Sequence, residues 1–217
     1  MDEAMNHAHQ VHLFNPQFAR PVTLIGAGSV GSWIAYFLAK MGVTDITVYD
    51  GDDVASHNIP MSFFGIEDVG RFKVEALEER IRRETGTSIT AHARMYAGEP
   101  LRNTSVVASV DTMAARTLIW EQVKDRATVD VFCDTRLSAA YIDILTIDPT
   151  NSTEQADYER LNFRDEEAAV QSCGLHGIAY ASSRAAGIVA ANLSQYWMGN
   201  AKEWRVTERC DTLERVH

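Results

Sequence analysis

The strongest pattern of apolar and polar positions lies at residues 22–50, VTLIGAGSVGSWIAYFLAKMGVTDITVYD. Val22 to Ile25 is a short apolar run of the kind that forms a strand buried on both faces. Trp33, Ile34, Phe37, Leu38 and Met41 then recur at helical spacing, and Gly42 stops that helix. Ile46 to Tyr49 reads as a second strand, ended by Asp50. Between the first strand and the helix stands Gly26-Ala27-Gly28-Ser29-Val30-Gly31. Strand, glycine turn, helix, strand and acid, in that order, predict a βαβ nucleotide-binding unit. Gly26 permits the tight turn, Gly28 lets backbone approach a phosphate, and Gly31 lets the helix pack closely on the strand. The helix start offers unpaired N–H groups and a positive dipole end to an anion. Asp50 is placed to reach a ribose hydroxyl.

The remaining pattern extends this unit into a larger sheet. Residues 51–73 form a long connection whose Phe63, Phe64 and Phe72 predict that it is ordered. A helix follows from Lys73 to about Glu84, with Val74, Leu77 and Ile81 on its buried side and Gly86 ending it. Ser88 to Tyr96 reads as a third strand and Val106 to Val110 as a fourth, deep in the sheet, with Asp111 at its C-terminal end. That rim is where open α/β sheets bind ligands. A helix spans Met113 to Lys124. Strands at Val129–Cys133 and Tyr141–Ile147 flank Asp134-Thr135-Arg136, which either binds an incoming carboxylate or forms a plain salt bridge. A polar, acidic excursion at 148–172 carries a short helix around 155–169, and Gly177 to Met198 is a helix rich in small residues. The expected fold is α/β: a Rossmann-like doubly wound sheet, mixed, parallel in its N-terminal half, with helices on both faces. It forms a single domain over 1–217, with 1–17 and 200–217 as peripheral arms.

Composition narrows the function more than the fold. A hydrophobic share of 46% with 23% charged residues is that of an ordinary globular chain able to bury a core. The net charge of −10 argues against a nucleic-acid binder held by electrostatics. No apolar run reaches the ~18 residues of a membrane span, and the start MDEAMNHAHQVHLF lacks the basic and apolar regions of a signal peptide. Cys133, Cys173 and Cys210 are odd in number and far apart, so they form neither a disulfide framework nor a zinc knuckle. A cytoplasmic protein without structural zinc is expected. His7, His9 and His12 read as part of a solvated arm rather than a metal site.

Asp50, Asn58, Lys73 and Asp111, with GAGSVG and the phrase YDGDDVASHN, resemble the ThiF/MoeB family, the activating enzymes for ubiquitin-like proteins. The resemblance runs from about residue 18 to 124, and more loosely through Cys173 to the helix beyond. A dehydrogenase would supply the glycines and Asp50 but not the other residues. The resemblance implies a transferase that adenylates, with ATP and Mg²⁺, the C-terminal carboxylate of a ubiquitin-like or other small protein, usually as a homodimer. By the same resemblance Asp50 holds the ribose and Asp52 lies near metal and phosphates. Asn58 faces the triphosphate, Lys73 neutralises phosphate charge, Asp111 holds Mg²⁺, and Arg116 is the arginine of the helix after that acid. Positioned cations are what this chemistry needs, because a carboxylate must attack an anionic phosphate. The residues also admit plainer readings: Lys73 as a solvated lysine at a helix start, Asp111 as the N-cap of the following helix, and Asn58 as a turn residue.

The chain departs from that pattern. The family's finger arginine falls at Met61, followed by Ser62 where a glutamine belongs, which puts turnover in question more than ATP binding. Arg71, Arg20 or an arginine of a second subunit is a possible replacement. Paired CxxC motifs are absent. Cys173, in Ser172-Cys173-Gly174-Leu175-His176-Gly177, stands where the family carries a sulfur nucleophile, with His176 nearby; the alternative is a buried structural cysteine. Cys133, in an apolar strand, reads as core. Two rival functions follow: a non-catalytic subunit that binds nucleotide or a partner, and an NAD-dependent oxidoreductase.

Overall fold

The computed structural model describes residues 5–101, 105–124, 126–138, 141–161 and 178–210, with 215–216 as backbone. In chain order the elements are β1 (Val22–Ile25), α1 (Ser29–Lys40), β2 (Ile46–Tyr49), α2 (Lys73–Thr85), β3 (Thr90–His92), β4 (Ser105–Ala108), α3 (Met113–Val123), β5 (Val131–Leu137), β6 (Tyr141–Ile147), α4 (Ser152–Arg160), α5 (Ala179–Trp197), β7 (Arg205–Arg209) and β8 (Arg215–Val216). The strands form one sheet in the order β3-β2-β1-β4-β5-β6-β7-β8. The first five run parallel and β6, β7 and β8 join antiparallel. The expected mixed, doubly wound sheet is therefore the observed one.

Helices cover both faces, which is why β1 and β4 are buried at every position and mostly apolar. On one face α1, α2 and α5 pack around Ile34, Leu38, Leu77, Ile81, Ala186 and Val189. On the other, α3 and α4 bury Ile119, Trp120 and Tyr158 against Phe132 and Ile147. Small side chains of α5, among them the fully buried Ala185 and Ala186, let it lie close to α1. Trp33 and Phe37, assigned to the inner face of α1 by their spacing, are only partly buried. They join Tyr36 and Phe63 in an aromatic cluster at the helix edge, with Tyr36 and Phe63 stacked at 4.0 Å.

Several boundaries differ from the sequence expectation. The third strand contracts to Thr90–His92, and the fourth ends at Ala108, where its ladder with β1 closes with the Ser109 N–H on the Ile25 carbonyl at 2.8 Å. The fifth strand runs on through Asp134-Thr135-Arg136 to Leu137, because the pairing with β6 carries it that far. The helix expected around 155–169 begins at Ser152, where Asn151 caps the Thr153 and Glu154 N–H groups; its expected end lies outside the described residues. Residues 205–209, within the stretch expected as an arm, form β7. Its sequence RVTER lacks an apolar pattern, and the strand is held by backbone pairing to β6 and by Arg205 and Thr207 on the Asp143 carboxylate. The N-terminal stretch is also tied down, with Phe14 buried against Trp197 and Gln10 donating to the Met41 carbonyl at 2.8 Å.

Candidate nucleotide site at the sheet switch point

From β1 the chain winds to β2 and β3, then returns to the other side of β1 as β4. In open α/β sheets a reversal of this kind is where ligands bind, outside the C-terminal ends of the strands. The glycine turn leaves β1 at this point. Gly26 has φ +97°, and a Cβ there would overlap the Ser109 carbonyl and approach Val110. A Cβ on Gly31 would overlap the Gly26 carbonyl. Gly28, the residue before α1, has no atom within 4 Å of where its Cβ would stand. The first and third glycines are thus required by packing, whereas the second faces open space.

Asp50 is buried at the end of β2 and holds the turn from the other side. Its Oδ2 accepts the Ala27 N–H at 2.7 Å and its Oδ1 the Asp52 N–H at 2.9 Å. Burial raises its pKa, while the Lys73 ammonium and the two N–H groups pull the other way. Lys73 is also buried, at 8% exposure, which excludes the solvated reading. Its Nζ lies 2.7 Å from Asp52 Oδ2 and 3.8 Å from Asp50 Oδ1. The long loop brings it there by pairing with itself: Lys73 N–H donates to the Asp52 carbonyl, Val54 N–H to that of Arg71, and Asp53 bridges to Phe72. The predicted order of this loop is matched by the burial of Phe63 and Phe64, while Phe72 is exposed.

Asp111 is solvent-exposed just past β4. It does not cap α3, because Thr112 is the N-cap and accepts the Ala115 N–H at 3.2 Å. Asn58 turns its Oδ1 to the Ala55 N–H at 2.9 Å, the turn-forming contact of the plainer reading. Arg116 lies buried, its guanidinium on the Asp134 carboxylate, the Thr135 carbonyl at 2.9 Å and the Val110 carbonyl. Arg136 also pairs with Asp134, at 2.8 Å, so the salt-bridge reading of Asp134 and Arg136 is the one observed. The Tyr158 hydroxyl donates to the same carboxylate at 3.2 Å. The hub role of Asp134 was not foreseen; the available signal was an acid set between apolar and arginine positions at the end of a strand.

The proposed substitutes for the finger arginine are engaged elsewhere. Arg20 precedes β1, at the opposite end of the sheet from the glycine turn, and pairs with Asp130. Arg71 pairs with Glu79 at 2.7 Å and approaches Asp68. Met61 stands in a loop pinned by the Trp33 indole on its carbonyl and by the Ala179 N–H on that of Pro60. Cys133 is core: burial pushes its thiol up to about 12. Cys173 and His176 lie outside the described residues. Among the described residues, no group of three or more His, Cys, Asp or Glu is arranged to hold a metal, and no helix is long and apolar enough to cross a membrane.

A model of the ThiF family matches residues 17–210. The chain belongs to the ThiF family. Among ThiF-family relatives, the tRNA threonylcarbamoyladenosine dehydratase of Escherichia coli K12 is 41% identical over 63 residues, 29% of this chain and 24% of that protein. The sulfur carrier protein ThiS adenylyltransferase of the same strain is 31% identical over 102 residues, 44% of this chain and 41% of its own. Among solved structures, E. coli MccB with ATP superimposes with a TM-score of 0.71 at 15% identity, covering 93% of this chain and 63% of MccB. PaaA gives 0.72 at 18% identity, with 93% and 64% covered. The chain thus spans less than two thirds of each of these proteins, and the solved neighbours share its ThiF-type fold.

Proposed function

We propose that this protein is an adenylyltransferase that uses ATP to activate a carboxylate, in the first instance the C-terminus of a ubiquitin-like or other small protein. The observation that carries the reading is the buried Lys73 ammonium held by Asp52 beside Asp50, next to a glycine turn whose middle residue faces open space. In this reading the N–H groups after Gly28 receive phosphate oxygens. Each Asp50 oxygen accepts one N–H and retains a lone pair for a ribose hydroxyl. Lys73 passes from Asp52 to the triphosphate. The substrate carboxylate attacks the α-phosphorus, the bond to the pyrophosphate oxygen breaks, and an acyl-adenylate forms without a net proton transfer. E. coli MccB, of the same fold, has been solved with ATP and with MccA, and the ThiS adenylyltransferase is a partial sequence relative. Both lend support to a protein or peptide carboxylate.

Magnesium fits the donor set. Asp111 is an exposed carboxylate two residues past the Ser109 carbonyl that abuts the turn, and Asp52 is freed when Lys73 moves. One or two carboxylates with triphosphate oxygens and water is the usual Mg²⁺ shell, so no preformed protein cage is required. When bound, the ion neutralises charge on the triphosphate as the carboxylate approaches.

The test is exchange of labelled pyrophosphate into ATP, with candidate small proteins ending in a free glycine carboxylate as acceptors. Exchange that depends on the acceptor and disappears in Lys73→Ala and Asp111→Ala supports the reading. ATP binding without exchange for any acceptor favours the non-catalytic subunit, to which Met61 and the engaged Arg20 and Arg71 point. Preferential binding of NAD that survives Lys73→Ala favours the oxidoreductase. The homodimer and a thioester or persulfide at Cys173 remain part of this proposal, to be read by sedimentation and by Cys173→Ser.

A further inference from the structure

Arg116 is buried, with its guanidinium spread over three acceptors of the protein itself. Its Nη1 donates to Asp134 and, at 2.9 Å, to the Thr135 carbonyl, while its Nη2 donates to the Val110 carbonyl. Arg116 is 5% exposed and Asp134 fully buried. Asp134 is braced in turn by Arg136 and Tyr158, and Arg136 reaches on to the Leu161 carbonyl at 2.9 Å. A second tie runs beside the first, from the Thr135 hydroxyl to the Ala108 carbonyl at 3.2 Å. Both ties reach from β5 to the end of β4 and the residues just past it. The ladder between these strands ends at the Ala108–Asp134 pair, so beyond it these side chains do the holding.

We propose that Arg116 is a positioning residue: by fixing the Val110 carbonyl it sets the plane of the Val110–Asp111 peptide and so aims the Asp111 carboxylate at the glycine turn. A peptide is planar, so an anchored carbonyl also places the next Cα. Val110 itself lies against Gly26, which couples the anchored peptide to the turn. Asp134 makes the anchor rigid, because a buried carboxylate shared by two guanidinium groups leaves Arg116 a single geometry. The inference rests on the adenylation reading in one respect, that Asp111 meets a Mg²⁺-bound nucleotide.

The experiment measures ATP affinity by calorimetry with and without Mg²⁺, which needs no turnover, and pyrophosphate exchange across a Mg²⁺ titration. In Arg116→Ala, affinity for Mg²⁺-free ATP stays within about twofold of wild type, while the Mg²⁺ concentration giving half-maximal binding rises about tenfold, as for loss of a group that orients a metal ligand. Arg116→Lys, which keeps the charge beside Asp134 but cannot span three acceptors, gives a rise of about threefold. Thr135→Val, which removes the second tie and leaves no buried charge, moves the same quantity in the same direction and carries the test if Arg116→Ala does not fold. Adding Arg116→Ala to Asp111→Ala produces no further shift, because the two act through one carboxylate. A fall of tenfold or more in Mg²⁺-free ATP affinity overturns the inference by placing Arg116 on the nucleotide. So does an unchanged Mg²⁺ requirement in Arg116→Lys and Thr135→Val. If wild type binds no ATP, the adenylation reading has failed and this inference with it. If it binds Mg²⁺-ATP without exchange, only the turnover claim fails and the Mg²⁺ shifts still decide.

Discussion

The three glycines of the turn have different jobs, and single substitutions should separate them. Gly26→Ala must place a Cβ at positive φ against a backbone carbonyl that cannot yield. It should lower stability by about 2 kcal/mol or more in urea denaturation. Gly28→Ala meets nothing within 4 Å, so the urea midpoint should hold while ATP affinity falls about tenfold, or ~1.4 kcal/mol. Asp50 gives a pH signature. Burial raises its folded pKa above the ~3.9 of an unfolded chain, so the folded state keeps its proton to higher pH. Its contribution to stability is therefore most favourable below the unfolded value and declines as pH rises through the folded one. Thermal scans of wild type and Asp50→Asn from pH 4 to pH 7 should show wild type losing ground to the variant as pH rises. An opposite slope would mean that Lys73 and the two N–H groups outweigh desolvation.

Elements carry the packing. α5 approaches α1 through alanine, and Ala186 has no exposed surface. Ala186→Leu adds volume where none is available and should destabilise the protein by about 1–3 kcal/mol, whereas Ala191→Leu, on the exposed side of the same helix, should change little. A single urea series reads both. Asn192, also on α5, ties that helix to the sheet through the Thr146 hydroxyl at 3.0 Å and the Glu203 carbonyl at 3.2 Å. Asn192→Ala removes both contacts and should lower the thermal midpoint, with a loss of about 1 kcal/mol. The element boundaries were readable where periodicity was strong: β1, β2 and β6 lie where the apolar runs place them, and α2 ends at a Gly86 with φ +74°. β7 is not legible from the apolar pattern because a strand held by backbone pairing to β6 and β8 and by Asp143 needs no apolar alternation.

At the scale of the whole molecule, the proposed site draws on residues far apart in the chain. Asp50 and Lys73 arrive from β2 and its long loop, and Asp111 from the strand on the other side of β1. If the site works as proposed, Lys73→Ala should reduce pyrophosphate exchange by about 10²-fold or more, since it removes a cation aimed at transition-state charge, while far-ultraviolet dichroism stays unchanged. The doubly wound class, the glycine turn and the acid at the end of β2 were legible from residues alone, because each rests on local chemistry: buried runs of matched length, a backbone only glycine adopts, and a helix start open to an anion. Side-chain partners were not legible. The family resemblance assigned Arg116 to the nucleotide and the residues left Asp111 a possible cap; in the structure Asp134, distant in sequence, pairs with the guanidinium and Thr112 takes the cap. A charged side chain goes to whichever opposite charge folding brings nearest in a dry interior, and that choice depends on strand order and register, which local pattern does not encode.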